Sequence, residues 1–357
     1  MTTMPAVVRL LSRFAIALAF CSLVRAADVT VGTATARPGQ KATGFLAVPA
    51  GVDAAVNIPV IVVNGARPGP VLALISGAHG TEYASIIAVE ELAQSARPAD
   101  LSGVLIIVPL LNLGSFGQKV PHLNPVDGKN MNRFYPGRID GTQTERASWA
   151  IATQVVEKCD YLLDFHGGDL DENLRQYSYW ADTGNSRLDT VTRGMVLAFG
   201  LDHIIIQAAR PSDPRPAGTT VTRYAQEQGK PAIAVEAGHA GTTNAEDVEA
   251  LVEGTLNVMR HLNMLAGNAP PVQHPLWIGR NTAITSEHDG IFYPLAVPEA
   301  YVARDMRIGY ITDYFGNKVS EVTAPVSGIV LYICAVPSMK KGDNIAVLGE
   351  IGEAPGR

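Results

Sequence analysis

The chain has 357 residues, 47% of them hydrophobic and 17% charged, a balance that fits a packed globular protein and excludes a disordered one. Its formal charge is −6 and no run of Lys or Arg interrupts it, so the electrostatic footprint of a nucleic-acid-binding protein is missing. The length suits two domains, or one large domain with an appendage.

Arg9 and Arg13 precede an apolar run over 14–24, and Val24-Arg25-Ala26 offers small residues around a cut. That is the pattern of an export signal over 1–26, with the mature chain starting near Ala27. The run is shorter than the roughly 20 apolar residues a spanning helix needs, so no stable membrane span is expected after signal removal. The expected location is the periplasm or the exterior. Leu18-Ala19-Phe20-Cys21 only faintly resembles a lipoprotein box, because bulky Phe20 stands where a small residue is needed. Cleavage removes Cys21 and leaves Cys159 and Cys334. Two cysteines cannot make a disulfide scaffold, and whether they pair is left open.

A β-rich lead-in over 27–58 comes next. From 59 to 266 short β-branched runs alternate with longer amphipathic ones, which predicts an α/β domain with a mixed, mainly parallel sheet flanked by helices. Strands are expected over 60–63, 71–76, 104–109, 161–165, 203–206 and 232–236, and helices over 83–95, 143–158, 186–199, 221–228 and 244–266. Gly65, Pro68, Gly69 and Pro70 between the first two strands suggest a hairpin. After a linker of Gly267-Asn268-Ala269-Pro270-Pro271, helical periodicity stops and 267–357 reads as a β-rich, barrel-like domain. Ala324-Pro325-Val326-Ser327-Gly328-Ile329-Val330 and Lys341-Gly342-Asp343 echo the biotinyl/lipoyl barrel. Lys318 lacks the Met-Lys-Met setting of a modified lysine, so an unmodified barrel is expected.

Three of the predicted strands end in residues able to do chemistry. In Ile75-Ser76-Gly77-Ala78-His79-Gly80-Thr81-Glu82, an imidazole and a carboxylate stand one turn apart, a spacing that can aim both at one ion. In Tyr161-Leu162-Leu163-Asp164-Phe165-His166-Gly167-Gly168, another apolar run ends in His. Parallel strands of one sheet would bring His79, Glu82 and His166 to a common edge. Two His and one carboxylate with an open fourth position form the ligand set of hydrolytic zinc sites. Asp164, two residues before His166, is placed to accept a hydrogen bond from outside that set. Pro231-Ala232-Ile233-Ala234-Val235-Glu236-Ala237-Gly238 puts an acid at the end of an apolar strand, where it is costly without a task or a partner. Between the two His, Asn130-Met131-Asn132-Arg133-Phe134-Tyr135-Pro136-Gly137 offers a guanidinium fork and an amide, suited to a carboxylate or an oxyanion. Of the remaining His, His239 is the one most plausibly near the site; the others, His122 included, are more often structural.

These motifs, in this order over roughly 59–265, resemble the succinylglutamate desuccinylase/aspartoacylase family of the zinc carboxypeptidase superfamily. The resemblance implies one Zn²⁺ per chain held by His79, Glu82 and His166, with Glu236 as the catalytic carboxylate. It also implies a transition-state role for Arg133, substrate contacts from Asn132 and Arg133, and a β-rich carboxyl-terminal domain beside the site. Aspartoacylase-like members carry another Arg ahead of the Asn-Arg pair to grip a substrate carboxylate, whereas 121–130 contains none. An aspartate- or succinyl-type substrate is therefore not the expected one. The expected reaction is zinc-dependent hydrolysis of an amide, most simply deacylation of a small N-acyl amino acid. The alternatives are a metallocarboxypeptidase acting on peptides or cell-wall fragments and, in another class, a non-catalytic binding protein on the same fold.

Overall fold

The computed structural model describes residues 27–208, 218–270 and 272–355; the export signal read over 1–26 lies outside them. Among the described residues no helix is long and apolar enough to cross a membrane.

The chain opens with β1 (Val29–Val31), β2 (Ala34–Ala36), β3 (Gln40–Val48), β4 (Val56–Asn64) and β5 (Arg67–Ser76). Helix α1 (Tyr83–Ser95), β6 (Ser102–Val108), α2 (Leu113–Gln118) and α3 (Gln143–Ile151) follow, the last continued by a wider π turn over Ala152–Val156. Next come β7 (Tyr161–His166), β8 (Glu172–Leu174), β9 (Tyr177–Asp182), α4 (Ser186–Phe199), β10 (His203–Ala208), α5 (Val221–Glu227), β11 (Ala232–Glu236) and α6 (Ala245–His261). The remainder is all β: β12 (Leu276–Thr285), β13 (Gly290–Pro294), β14 (Tyr301–Val302), β15 (Arg307–Thr312), β16 (Lys318–Thr323), β17 (Gly328–Cys334), β18 (Ser338–Met339) and β19 (Asn344–Ile351).

Among the described residues, a sheet of 13 strands runs in the order β14-β17-β19-β12-β10-β9-β11-β7-β5-β6-β4-β3, with β8 on β17. Parallel pairing is concentrated at its centre, among β6, β5, β7 and β11 and again among β9, β10 and β12; its margins are antiparallel. The central strands are apolar on both faces because both are covered. Leu72, Leu74, Leu163, Phe165, Ile233 and Val235 pack with residues of α1, α4 and α6 on one side. Their neighbours Ala73, Ile75, Leu162 and Ala232 pack with residues of α3 and α5 on the other, which is the period-two alternation of a strand. Helix ends follow local chemistry: the Asn185 and Thr220 side chains accept from backbone N–H groups in the first turns of α4 and α5. Helix α6 has Glu246 and Asp247 in its first turn and Arg260 and His261 in its last, matching its dipole.

The hairpin expected around Gly65 does not form. Strand β6 lies between β4 and β5, antiparallel to the first and parallel to the second. The glycines of that link serve close packing: a Cβ on Gly65 would lie 2.4 Å from Leu101 O, and one on Gly69 2.6 Å from Ser102 C. Strand β9, which the alternation of motifs did not suggest, joins β10 in parallel and β11 in antiparallel fashion.

The linker after α6 leads into β12, which pairs with β10, so the large sheet itself continues into the carboxyl-terminal part. There β17 and β19 pack against a separate four-stranded sheet, β16-β15-β13-β18, over a third core that includes Phe292, Ile311, Val330 and Leu348. Cys159 and Cys334 are both buried free thiols.

Candidate active site

Strands β5, β7 and β11 are parallel register neighbours, so their carboxyl ends emerge at one edge of the sheet, where open α/β sheets place ligands. β5 gives way to Gly77, whose φ of +69° suits glycine and turns the chain so that His79 and Glu82 stand just ahead of α1. β7 ends on His166. A Cβ on the following Gly167 would lie 2.2 Å from Ala237 O, so the loops leaving β7 and β11 cross at a distance only glycine allows.

The structure brings His79, Glu82 and His166 together: one ligand atom from each lies within 4.8 Å of the others, and all three residues are buried. Each Glu82 oxygen faces one imidazole, Oε1 at 2.6 Å from His79 Nδ1 and Oε2 at 2.9 Å from His166 Nδ1. The outer nitrogens are turned away. His79 Nε2 is 3.1 Å from Asn130 Oδ1, an atom shown to be an acceptor because Asn132 N donates to it at 2.9 Å. His166 Nε2 is 3.2 Å from Asp164 Oδ2, which also accepts from Asn132 Nδ2 at 3.1 Å and Thr222 Oγ1 at 3.0 Å. The Asn132 amide is oriented by Val221 N, which donates to its Oδ1 at 2.9 Å; Asn132 Nδ2 and His166 Nε2 sit side by side on Asp164, 2.8 Å apart. A proton held outward on His79 Nε2 leaves its Nδ1 lone pair pointing inward, and His166 Nδ1 faces the same carboxylate. A lone pair and a carboxylate oxygen 2.6 Å apart require a proton or a cation between them, so this donor set fits a divalent ion.

The three groups also act on one another strongly through their charges. Burial alone would raise the Glu82 carboxyl, but the flanking imidazoles outweigh it and hold it at about 2. Burial opposes the charged form of His166, yet Asp164 and Glu82 raise its pKa well above the ordinary imidazole value. Glu236 differs: burial, with Glu82, Glu172 and Asp164 nearby, pushes its carboxyl well above the usual range despite the opposing pull of His166. Its Oε2 is fully buried and has no hydrogen-bond partner among the described residues, a costly state that marks a group held ready for a ligand.

A cavity of about 440 Å³ opens onto His79, Glu82, Arg133 and Glu236. Arg133, in the short 3₁₀ turn Met131–Arg133, donates from Nη1 to Asn132 O at 2.7 Å and lines the same space. A smaller recess of about 130 Å³, lined by Asn132, Asp164, His166 and Thr222, adjoins it. Leu331, Tyr332, Asn344 and Val347 of the carboxyl-terminal strands supply part of the cavity wall.

Residue-by-residue reading missed several lining groups: His122, Glu172, Tyr177 and Tyr179. His122, passed over as structural, has its Nε2 2.9 Å from Asp171 Oδ1 and its Nδ1 3.3 Å from Asp169 Oδ2. Against the effect of burial, Asp171, Glu172 and Asp169 raise its pKa to about 9. The signal for this wall was the acid-rich stretch Asp169-Leu170-Asp171-Glu172 after the glycine pair. His239 instead faces Asp247 at 3.6 Å and is not among the residues lining the cavity.

Fold and site together define a mixed α/β protein with a cation-ready His-Glu-His cluster and a buried acid at one edge of its sheet. The chain belongs to the succinylglutamate desuccinylase/aspartoacylase family, whose catalytic-domain model matches residues 68–262. It is 28% identical over 325 residues, 88% of this chain and 92% of the other, to the N-alpha-acetyl-L-2,4-diaminobutyric acid deacetylase of Halomonas elongata. Among solved structures it resembles the product-bound ectoine utilization protein EutE (DoeB) of Ruegeria pomeroyi, with TM-score 0.79 and 26% identity, covering 87% of this chain and 95% of that one. An aspartoacylase family protein of Mesorhizobium loti matches with TM-score 0.74 and 26% identity, covering 89% and 96% respectively.

Proposed function

We propose that the protein is a zinc-dependent deacylase that hydrolyses the amide bond of a small N-acyl amino acid. The observation that carries this reading is the unpartnered, buried Oε2 of Glu236 on the same cavity as the converging His79, Glu82 and His166 atoms. A borderline ion on two imidazoles and one carboxylate suits zinc, which when bound acts as a Lewis acid and lowers the pKa of water.

The chain's own residues divide the remaining work. Glu236 takes a proton from the attacking water at Oε2 and returns it to the leaving amine; its raised pKa favours the second transfer. Arg133 faces the scissile carbonyl and offsets negative charge that develops on its oxygen. Asn132 is pinned between Val221 and Asp164 and keeps the backbone carbonyl that holds Arg133 in place. The carboxyl-terminal wall excludes water around the amine half of the substrate. The Halomonas elongata relative suggests an acetyl group and 2,4-diaminobutyrate as the first acyl and amine to try. The signal over 1–26 would place this activity in the periplasm or outside the cell.

The test is metal analysis of the purified chain joined to a screen of N-acetyl, N-succinyl and peptide substrates. One zinc per chain with release of a free amino acid from an N-acyl substrate is the expected result. Cleavage of peptides alone would replace this reading with a metallocarboxypeptidase.

A further inference from the structure

Most of the charged groups on the cavity of the candidate site belong to the chemistry already described, namely His79, Glu82, Arg133 and Glu236. Two remain, His122 and Glu172, and they are not equivalent. Both ring nitrogens of His122 are occupied by Asp169 and Asp171. Glu172 is partly buried, and its Oε2 accepts from Asp169 N at 3.2 Å. No Lys or Arg pairs with it among the described residues, and it shares the cavity wall with His122, Leu174, Tyr177 and Tyr332 among others. The first residue of β8, it is a register partner of Cys334 on β17, which plants it at the seam between the catalytic and carboxyl-terminal parts.

His122, the positive group near Glu172, is already held by Asp169 and Asp171, so a partly buried carboxylate that accepts only from a backbone N–H has room for a cation brought by the ligand. Burial pushes the Glu172 carboxyl up to about 7 despite nearby His122, the expected behaviour of such a group while no partner is present. Residues 121–130, which bring His122 and Asn130 to the cavity, contain no Arg. We propose that Glu172 is a specificity-determining residue that accepts an ammonium group on the amine half of the substrate, selecting N-acyl derivatives of diamino acids over neutral or acidic ones. This assignment rests on the deacylase reading and deepens it.

The experiment compares Nα-acetyl-L-2,4-diaminobutyrate with N-acetyl-L-2-aminobutyrate, which lacks the ammonium, on the zinc-loaded full chain. The wild type is expected to prefer the first by at least about tenfold in kcat/KM, the range of a partly desolvated charge pair. Glu172→Gln keeps an acceptor for Asp169 N but loses the charge, and should bring the ratio close to one, mainly through KM. Glu172→Asp, which retains the charge, should keep a preference. An unchanged ratio in Glu172→Gln, or no preference in the wild type, overturns the assignment. Calorimetric binding of the free amino acids L-2,4-diaminobutyrate and L-2-aminobutyrate separates the two claims, because it needs no turnover. Selective binding of the diamine that disappears in Glu172→Gln, without hydrolysis of any N-acyl substrate, would retain Glu172 and remove the deacylase. Equal binding of both amino acids would remove Glu172.

Discussion

Glu236 and His166 are register partners on adjacent parallel strands, each the last residue of its strand. The sheet therefore sets the acid proposed to carry the proton beside the imidazole proposed to hold the ion with the precision of backbone hydrogen bonds, and the rigid pair cannot drift as loop residues can. Their closeness also explains why His166 opposes, without cancelling, the burial that raises the Glu236 carboxyl.

Glu236→Gln removes the proton carrier and keeps the shape. The variant is expected to hold zinc at the wild-type level while turnover falls by about 10²–10⁴-fold, the usual worth of general acid/base catalysis. Metal content and initial rates on the same preparation check this; wild-type turnover would take Glu236 out of the mechanism.

Asp164 accepts three donors, from His166, Asn132 and Thr222. In Asp164→Asn the carboxylate beside His166 Nε2 is gone, and zinc affinity should drop by about 10–100-fold. Competition against a chromophoric chelator measures it, and an affinity equal to that of the wild type would contradict the role given to Asp164.

Stripping the metal should leave the fold in place and lower its stability. With zinc at 100 times its Kd the expected stabilisation is about 2.7 kcal/mol. Thermal melts of chelated and zinc-repleted protein should differ in that direction, with activity returning on repletion; coincident melts would argue against an ion on His79, Glu82 and His166.

Glu145 offers a pH test away from the site. Lys129 Nζ donates to its Oε2 at 2.8 Å and Thr142 N at 2.9 Å, closing the capping box of α3. The Lys129 bond first, then Thr142, hold the carboxyl at about 2, below its unfolded value. A depressed carboxyl stabilises the folded state fully above its unfolded pKa and loses that contribution as pH falls toward the folded one. Glu145→Gln should therefore destabilise the protein by about 1 kcal/mol at pH 7, with the gap to wild type narrowing between pH 4.5 and about 2. Urea unfolding at pH 7 and at acid pH reads this directly; a gap that stays constant would mean the capping carboxylate contributes nothing as an anion.

Much of the site could be read without coordinates because its chemistry lies at the ends of apolar runs. Strand β11 and helices α1 and α4 follow the expected limits, since their hydrophobic period and their Gly, Asn and His punctuation are local properties. The order of strands was less legible. Gly65, Pro68, Gly69 and Pro70 look like a turn, and only the pairing of distant 102–108 with both neighbours shows that they admit a third strand instead.

What the amino-acid sequence determined alone was the set of residue types fit to hold an ion and move a proton, together with their places at strand ends. Which of them face one another, and what else surrounds the substrate, was decided by tertiary structure. Glu172 and Tyr332 share a cavity because β8 pairs with β17 across about 160 residues of chain. Pairing at that separation depends on register and on buried surface summed over the whole sheet, neither of which is written in any local run of residues.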